Sequence, residues 1–281
     1  MVVLVTGANG QLGQALQFIA TIYPAIDFKF YTSADLDITK PTDIESSFRS
    51  TQPHFCINAA AYTAVDQAEK EQIKAYAVNV TGAKNLAEAC NHFKTILIHI
   101  STDFVFDGNK KVPYHEEDKT NPQGIYGQSK LDGEKALQTI FARYFILRTS
   151  WVYSQFGNNF MKTMLRFASE RSALSVVDDQ IGTPTHALDL AEAIVKVIQS
   201  NSKNFGVYNF SNEGSASWYD FAKKIFELNK ISIDLKAIPT SKFPTLAKRP
   251  AYSVLDKSKF KSEFGHEISH WQTALKTHQN P

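Results

Sequence analysis

The first sixteen residues, MVVLVTGANGQLGQAL, narrow the choice of folds more than any other stretch. Val2 to Val5 is a short, uninterrupted apolar run, the pattern of a strand covered on both faces, and such strands belong to parallel sheets flanked by helices. Leu12, Leu16 and Ile19 then recur at helical spacing. Between strand and helix stand Gly7, Gly10 and Gly13, spaced G-x-x-G-x-x-G. A backbone that turns tightly there, approaches a pyrophosphate and leaves helix N-terminal N–H groups free makes a phosphate-binding turn. Glycines punctuate many turns; the position of this triplet between the first strand and the first helix is what gives it weight.

The alternation continues along the chain. Phe28, Phe30 and Tyr31 mark a second strand, Ile44 and Phe48 a short helix after Pro41, and residues 54–57 a third strand. Ile73, Val80, Ala83, Leu86 and Cys90 fall on one face of a long helix. Residues 96–100 form a further strand, and Leu131, Leu137 and Ile140 stripe another helix before a strand over 144–147. This pattern predicts an α/β protein with a Rossmann-type, doubly wound parallel sheet. In the second half, Phe160, Met164 and Phe167 read as one helix and Leu190, Ile194, Val197 and Ile198 as another. A strand over 207–210 and a helix from Trp218 follow, then proline-punctuated segments and a last short helix. We expect a dinucleotide-binding domain over residues 1–150 and a smaller C-terminal α/β substrate domain over 151–281. A return segment near 185–201 packs on the first, and a ligand cleft lies between the two.

The composition excludes several classes of partner. With 30 Lys and Arg against 28 Asp and Glu the net charge is +2, too small to point to nucleic acid or a membrane surface. No stretch approaches the roughly 20 apolar residues that span a bilayer. The N-terminus lacks a basic region and a small-residue cleavage site, so we expect a cytoplasmic protein. Cys56 and Cys90 sit in apolar surroundings and read as buried, reduced thiols.

Ser101, Thr102 and Asp103 end the strand over 96–100, and a helix follows at NPQGIYGQSKLDGEKAL. On that helix Tyr126 and Lys130 are i and i+4, one turn apart on one face. A tyrosine with its ordinary pKa of about 10 is a reluctant proton donor, and a neighbouring ammonium is expected to lower that value. The Thr102 hydroxyl can polarise a carbonyl oxygen from the other side. With a nicotinamide as hydride source, these residues amount to a ketone-reducing set. Tyr219 and Lys223, in SWYDFAK, share the same spacing. They lie on a helix capped by Ser217 and Asp220 with no glycine turn or Ser-Thr strand end before them, and we read them as an exposed pair. HEISH, residues 266–270, matches a zinc-protease motif, but Ser269 and Gln272 form a capping box that starts a helix near His270 and leaves His266 outside it. We therefore assign no metal ligands. Asp35 and Asp37 follow the second strand, where an acidic residue can hold an adenosine ribose; no arginine in that stretch grips a 2′-phosphate, so NADH is acceptable and NADPH needs other contacts.

The glycine spacing is similar to that of the extended branch of the short-chain dehydrogenase/reductase superfamily. Together TGANGQLG, LDIT, INAAAYTAVDQAE, NV, STDFVFDG, YGQSKLDGE, RTSWVY, NNF, DDQIGTPT and RP resemble the dTDP-4-dehydrorhamnose reductase family, from residue 1 to about residue 255. That resemblance implies reduction of a 4-keto sugar on a dTDP-sugar substrate, with NADPH as cofactor and NADH possible. It implies that Gly7, Gly10, Gln11, Leu12 and Gly13 meet the cofactor pyrophosphate, with Asp37 and Ile38 near its adenosine. Ala59, Ala60, Ala61, Tyr62 and Thr63 would line its path, and Tyr126 and Lys130 would hold the nicotinamide ribose. Thr102, Tyr126 and Lys130 resemble the catalytic set; Thr102, Asp103, Phe104 and Trp151 resemble residues at the sugar. Arg249 is the candidate for the diphosphate, since a guanidinium suits phosphate geometry.

The chain departs from the family at two places. Phe104 stands where a tyrosine is usual, which removes a hydroxyl from the sugar or cofactor. Some members bridge a dimer through Mg²⁺ on glutamates, one of them in the first helix; here that helix carries Gln14 and Ala15, and we expect a monomer or a metal-free homodimer. Related 4,6-dehydratases need an Asp-Glu pair after the threonine, whereas this chain reads Thr102-Asp103-Phe104, which leaves ketone reduction. A non-catalytic regulatory subunit of a methionine adenosyltransferase also resembles this family; Tyr126 and Lys130 favour catalysis.

Overall fold

Six strands form one parallel sheet in the computed structural model, which describes residues 1–278. They are β1 (Val2–Thr6), β2 (Asp27–Tyr31), β3 (Phe55–Asn58), β4 (Ile96–Thr102), β5 (Tyr144–Thr149) and a last strand, Gly206–Asn209. Across the sheet the order runs β2, β1, β3, β4, β5, Gly206–Asn209. The chain first builds outward from β1 to β2 and then crosses to the other side of β1 for β3. The crevice above the carboxyl ends of β1 and β3 is where doubly wound sheets bind ligands.

Side chains alternate across the sheet with a period of two. Val3, Val5, Phe55, Ile57, Ile98, Phe145 and Leu147 point to one face and pack with Leu12, Leu16, Leu190, Ile194 and Ile198 from helices Gln11–Ala20 and Ala187–Ser200. Leu4, Cys56, Leu97 and Ile146 point to the other, against Ile44, Phe48, Leu86, Cys90 and Leu137. On this second face every central strand turns polar two residues later: Thr6, Asn58, His99 and Arg148 are all buried. Register places Thr6 beside Asn58 and Asn58 beside His99, so three of them form a row across β1, β3 and β4. Cys56 and Cys90 are free, buried thiols, and burial pushes the Cys90 thiol up.

One expectation needs correction. The long helix across residues 73–90 is interrupted: Gln72–Tyr76 and Ala83–Phe93 are α-helical, but Ala77–Gly82 winds as a π-turn. Its wider turn shifts the helical phase, so Ile73 is 89% exposed while Ala75 and Asn79 take buried positions. Past residue 150 the chain returns to the first sheet: strand Gly206–Asn209 pairs with β5, and helix Ala187–Ser200, within the return segment read near 185–201, packs on its face.

A second core gathers Tyr153, Met164, Leu174, Phe221, Ile225, Phe226 and Trp271 around helices Phe160–Glu170 and Trp218–Leu228. The last described helix, Trp271–Thr277, is capped by His270 rather than by Ser269, because the His270 Nδ1 accepts from Gln272 N. His266 lies outside it, beyond helix Ser258–Phe264. Among the described residues no helix is long and apolar enough to cross a membrane.

Helix Ile125–Ile140 is locked to β4 and β5 by a buried ion pair. Glu134 accepts from Arg148 Nε at 3.0 Å, Arg148 Nη2 at 2.7 Å and Ser101 Oγ at 2.5 Å. The two charged side chains are only 5% and 1% exposed. Removing one partner strands the other charge away from water, which costs about 3–5 kcal/mol, whereas replacing both by apolar groups is much milder. Arg148→Met is therefore expected to lose that amount in urea unfolding, and the double variant Glu134→Leu/Arg148→Met to recover most of it.

Candidate active site

A cavity of about 680 Å³ opens above the carboxyl ends of β1, β3 and β4. Its size falls in the range of small-molecule sites. At its floor the glycine turn delivers helix Gln11–Ala20 with Gly10 as N-cap and no side chain covering the first-turn N–H groups. Gly10, Gln11 and Leu12 line the cavity; Gly7 and Gly13 stand behind them. Gly7 has φ +69°, and a Cβ there would lie 2.6 Å from Ala60 N. A Cβ on Gly13 would meet the Gly7 oxygen at 2.3 Å. Bare backbone and open helix N–H groups fit a pyrophosphate, as a dinucleotide requires. The Gln11 side chain is spent elsewhere: Nε2 donates to Val152 O at 3.2 Å, and Oε1 accepts from Ser154 Oγ at 3.1 Å and Asn159 Nδ2 at 2.9 Å.

The segment after β3 alternates. Ala59, Ala61 and Thr63 face the cavity, while Ala60 and Tyr62 turn away. Tyr62 donates its hydroxyl to Glu71 at 3.2 Å, and its backbone N–H goes to the Asn79 side chain at 2.9 Å. Asn79 Nδ2 in turn donates to Ser129 Oγ at 2.9 Å, and Ser129 donates to the Tyr126 carbonyl at 2.9 Å. Asn79 thus ties the Ala59–Thr63 path to the turn that carries Tyr126. In the sequence Asn79 stands out only as part of the NV pair of the family resemblance, with no role attached; the π-turn that buries it is a tertiary outcome.

Thr102, Asp103, Phe104, Tyr126 and Lys130 meet on one wall. Lys130 is pinned from the interior, Nζ donating to Ile100 O at 2.6 Å with His99 Nε2 at 3.5 Å. His99 in turn pairs through Nδ1 with Asn58, and Asn58 with Thr6, so the row of polar strand residues ends on the lysine. Burial lowers Lys130 to about 8, against the opposing pull of Glu134. Burial, with the Lys130 charge adding, keeps His99 neutral. The expected lowering of Tyr126 is reversed: burial, aided by the Asp103 charge and opposed by the Thr102 hydroxyl, pushes the phenol up to about 12. Desolvation of a phenolate outweighs the help of an ammonium whose hydrogen bonds run inward. The Thr102 hydroxyl donates to Asp103 Oδ1 at 3.0 Å, and Asp103 Oδ2 has no hydrogen-bond partner among the described residues.

The opposite wall comes from the second half. Trp151 lines it with a left-handed backbone, φ +46°, and its indole stacks on Trp218 at 3.5 Å and 7°. Gly182 leaves room on the Trp151 ring that any Cβ would fill, at 2.5 Å. Such a backbone conformation costs roughly 1–3 kcal/mol and persists only where its surroundings enforce it. Trp218 packs on the second core and also lines the cavity. Arg249 also lines the cavity, its Nη2 bound to Asp66 Oδ2 at 2.5 Å and its guanidinium 6.0 Å from the Phe104 ring, which meets Tyr126 edge-on.

Other sequence candidates lie elsewhere. Asp35 is held by Thr32 N and Oγ1, and Asp37 by Thr39 N and Oγ1; both carboxylates close their own turns. Ile38 is buried in the core. Tyr219 is not exposed but packs on the second core, and neither it nor Lys223 lines the cavity. Outside the cavity lining, His186, Asp189 and His278 come close enough to share an ion. His186 Nδ1 accepts from Leu188 N, which forces the ring proton onto Nε2, and Asp189 accepts from Asn212 at 2.5 Å and lies 2.7 Å from His278 Nε2. That group reads as a polar fastening for the last helix.

The model of the RmlD substrate binding domain matches residues 1–280. The chain is 44% identical to the dTDP-4-dehydrorhamnose reductase of Aggregatibacter actinomycetemcomitans over 97% of its length and 96% of the relative's. It is 40% identical to the Escherichia coli K12 enzyme of the same name, covering 98% and 96%. A crystal structure of dTDP-4-dehydrorhamnose reductase from Bacillus anthracis in complex with NADP superposes with a TM-score of 0.95 at 40% identity, covering 99% of this chain and 98% of that one.

Burial raises Asp103 from 3.8 to about 6, with hydrogen bonds opposing the rise. Between those values the folded state holds a proton that the unfolded state has lost, so stability falls as pH rises through the window and the penalty is complete above it. Urea unfolding from pH 4 to 7 should show a loss on the order of 3 kcal/mol that Asp103→Asn lacks. Parallel pH dependences in the two proteins would contradict this account of the carboxylate.

Proposed function

The chain belongs to the RmlD substrate binding domain family, that of the dTDP-4-dehydrorhamnose reductases, and from that premise we propose that it reduces the 4-keto group of dTDP-4-dehydro-β-L-rhamnose to dTDP-L-rhamnose with NADPH. The observation that carries this reading is the meeting of Thr102, Tyr126 and Lys130 with an open phosphate-binding turn around one cavity. Its product serves polysaccharide biosynthesis.

A nicotinamide cofactor held at the turn over residues 10–12 and by Tyr126 and Lys130 would supply the hydride. Tyr126 supplies the proton to the oxygen. A phenol held near 12 remains protonated at neutral pH, the form that reduction consumes, and a developing alkoxide is a stronger base than a phenolate. Lys130, still largely charged at pH 7, offsets the negative charge that the departing proton leaves on Tyr126. Its interior bonds fix Nζ and leave N–H capacity toward the cavity and the cofactor ribose. The Thr102 hydroxyl, turned away from Asp103, polarises the ketone. Asp103 and Trp151 hold the sugar, and Arg249 uses the N–H groups not taken by Asp66 for the diphosphate. Phe104 offers an aromatic edge and no hydroxyl. Asp35 and Asp37 spend their carboxylate oxygens on Thr32 and Thr39, so neither is committed to a ribose hydroxyl.

NADPH oxidation on addition of freshly generated dTDP-4-dehydrorhamnose tests the assignment. Tyr126→Phe should lower turnover by about 10²–10⁴, while Tyr219→Phe stays near wild type. Equal losses in both variants, or no turnover in a wild-type protein that still binds NADPH, would sink it.

A further inference from the structure

Helix Ile125–Ile140 carries Tyr126 at its second position, yet nothing in its own sequence caps its start. Gly124 is the N-cap, makes no side-chain bond, and no acidic residue stands in the first turn. The acceptor arrives from a distant part of the chain: Glu69 Oε1 accepts from Ile125 N at 2.8 Å, across 56 residues of sequence. A Cβ on Gly124 would lie 2.7 Å from that same oxygen, so the glycine is what lets the carboxylate reach the helix end. Glu69 follows the short helix Val65–Ala68, whose Asp66 accepts from Ala247 N at 3.1 Å and from Arg249 at 2.5 Å. One short turn therefore holds the start of the catalytic helix and the arginine segment of the cavity wall. Glu69 itself does not line the cavity.

We propose that Glu69 is a positioning residue for the reduction: by capping Ile125 from outside the helix it fixes where the Tyr126 hydroxyl sits in the cavity. This deepens the reading of Tyr126 as proton donor and rests on it. The first four N–H groups of a helix lack partners, and a carboxylate at that end is favoured by the hydrogen bond and by the helix dipole. A reacting group displaced by about 1 Å can lose about 10²-fold in rate. The neighbouring residue on the same helical turn is the one that must donate the proton.

Three substitutions separate reach from charge. Glu69→Gln keeps an acceptor oxygen at the right length, Glu69→Asp keeps the charge but is one methylene short, and Glu69→Ala has neither. We expect Glu69→Ala and Glu69→Asp to lower kcat about tenfold or more, with NADPH dissociation constants, read by fluorescence, within about twofold of wild type. Glu69→Gln should stay within about threefold in kcat. Rates are taken per folded molecule, judged by circular dichroism, and if Glu69→Ala does not fold, the Gln and Asp variants decide. An unchanged kcat in Glu69→Asp, or Glu69→Gln as impaired as Glu69→Asp, overturns the proposal. Tyr126→Phe is measured in parallel: wild-type turnover there removes the proton-donor reading itself, independently of the Glu69 series.

Discussion

The Glu134–Arg148 pair is the constraint on which the rest of the cavity wall depends. Two charges withdrawn from water are tolerated only when their hydrogen bonds are complete, and Glu134 receives three donors from β4 and β5. The pair sets the roll of helix Ile125–Ile140 against the sheet, and with it the direction in which residues one and two turns earlier project. It acts at a distance as well. Glu134 lies one turn below Lys130 and sustains the ammonium against the burial that works to neutralise it. Arg148 also donates to Glu116 O, while Glu116 accepts from Asn209 N, so the same node reaches the strand that closes the sheet.

Around that node the sheet changes character along its length. Its lower part is a hydrocarbon layer; near the carboxyl ends the row Thr6–Asn58–His99 runs sideways through the interior to Lys130. A lysine buried this deeply needs an acceptor, and the Ile100 carbonyl provides one from below, leaving its approach to the cleft open. The phenol beside it is tuned in the other direction, toward holding its proton. The two shifts suit a reaction that must keep one group charged and another protonated at neutral pH.

Much of this was legible in the sequence because it is local. The glycine turn, the strand–helix alternation and the pairing of Tyr126 with Lys130 depend on neighbours a few positions apart. Even the polar strand ends were there to be read: LIHIST and FCIN each place a polar residue two positions beyond an apolar one on the same face. What was not legible depends on distant contacts. The π-turn that inverts Ile73 and Asn79, the reach of Trp218 into the cleft and the capping of Ile125 by Glu69 all follow from how elements pack after they form. Asp35 and Asp37 show the limit of a local reading, since acidic residues after a strand serve a tight turn as readily as a ribose. The sense of the Tyr126 shift also escaped, because burial cannot be counted from spacing.

The Gln11 side chain carries one more consequence. Its three hydrogen bonds join the glycine turn to Val152, Ser154 and Asn159 in the second half of the chain. An outward swing of that half would have to break all three at once. The two sides of the cleft are therefore joined at the glycine turn, and drawing them apart costs about 0.5–1.5 kcal/mol for each bond lost.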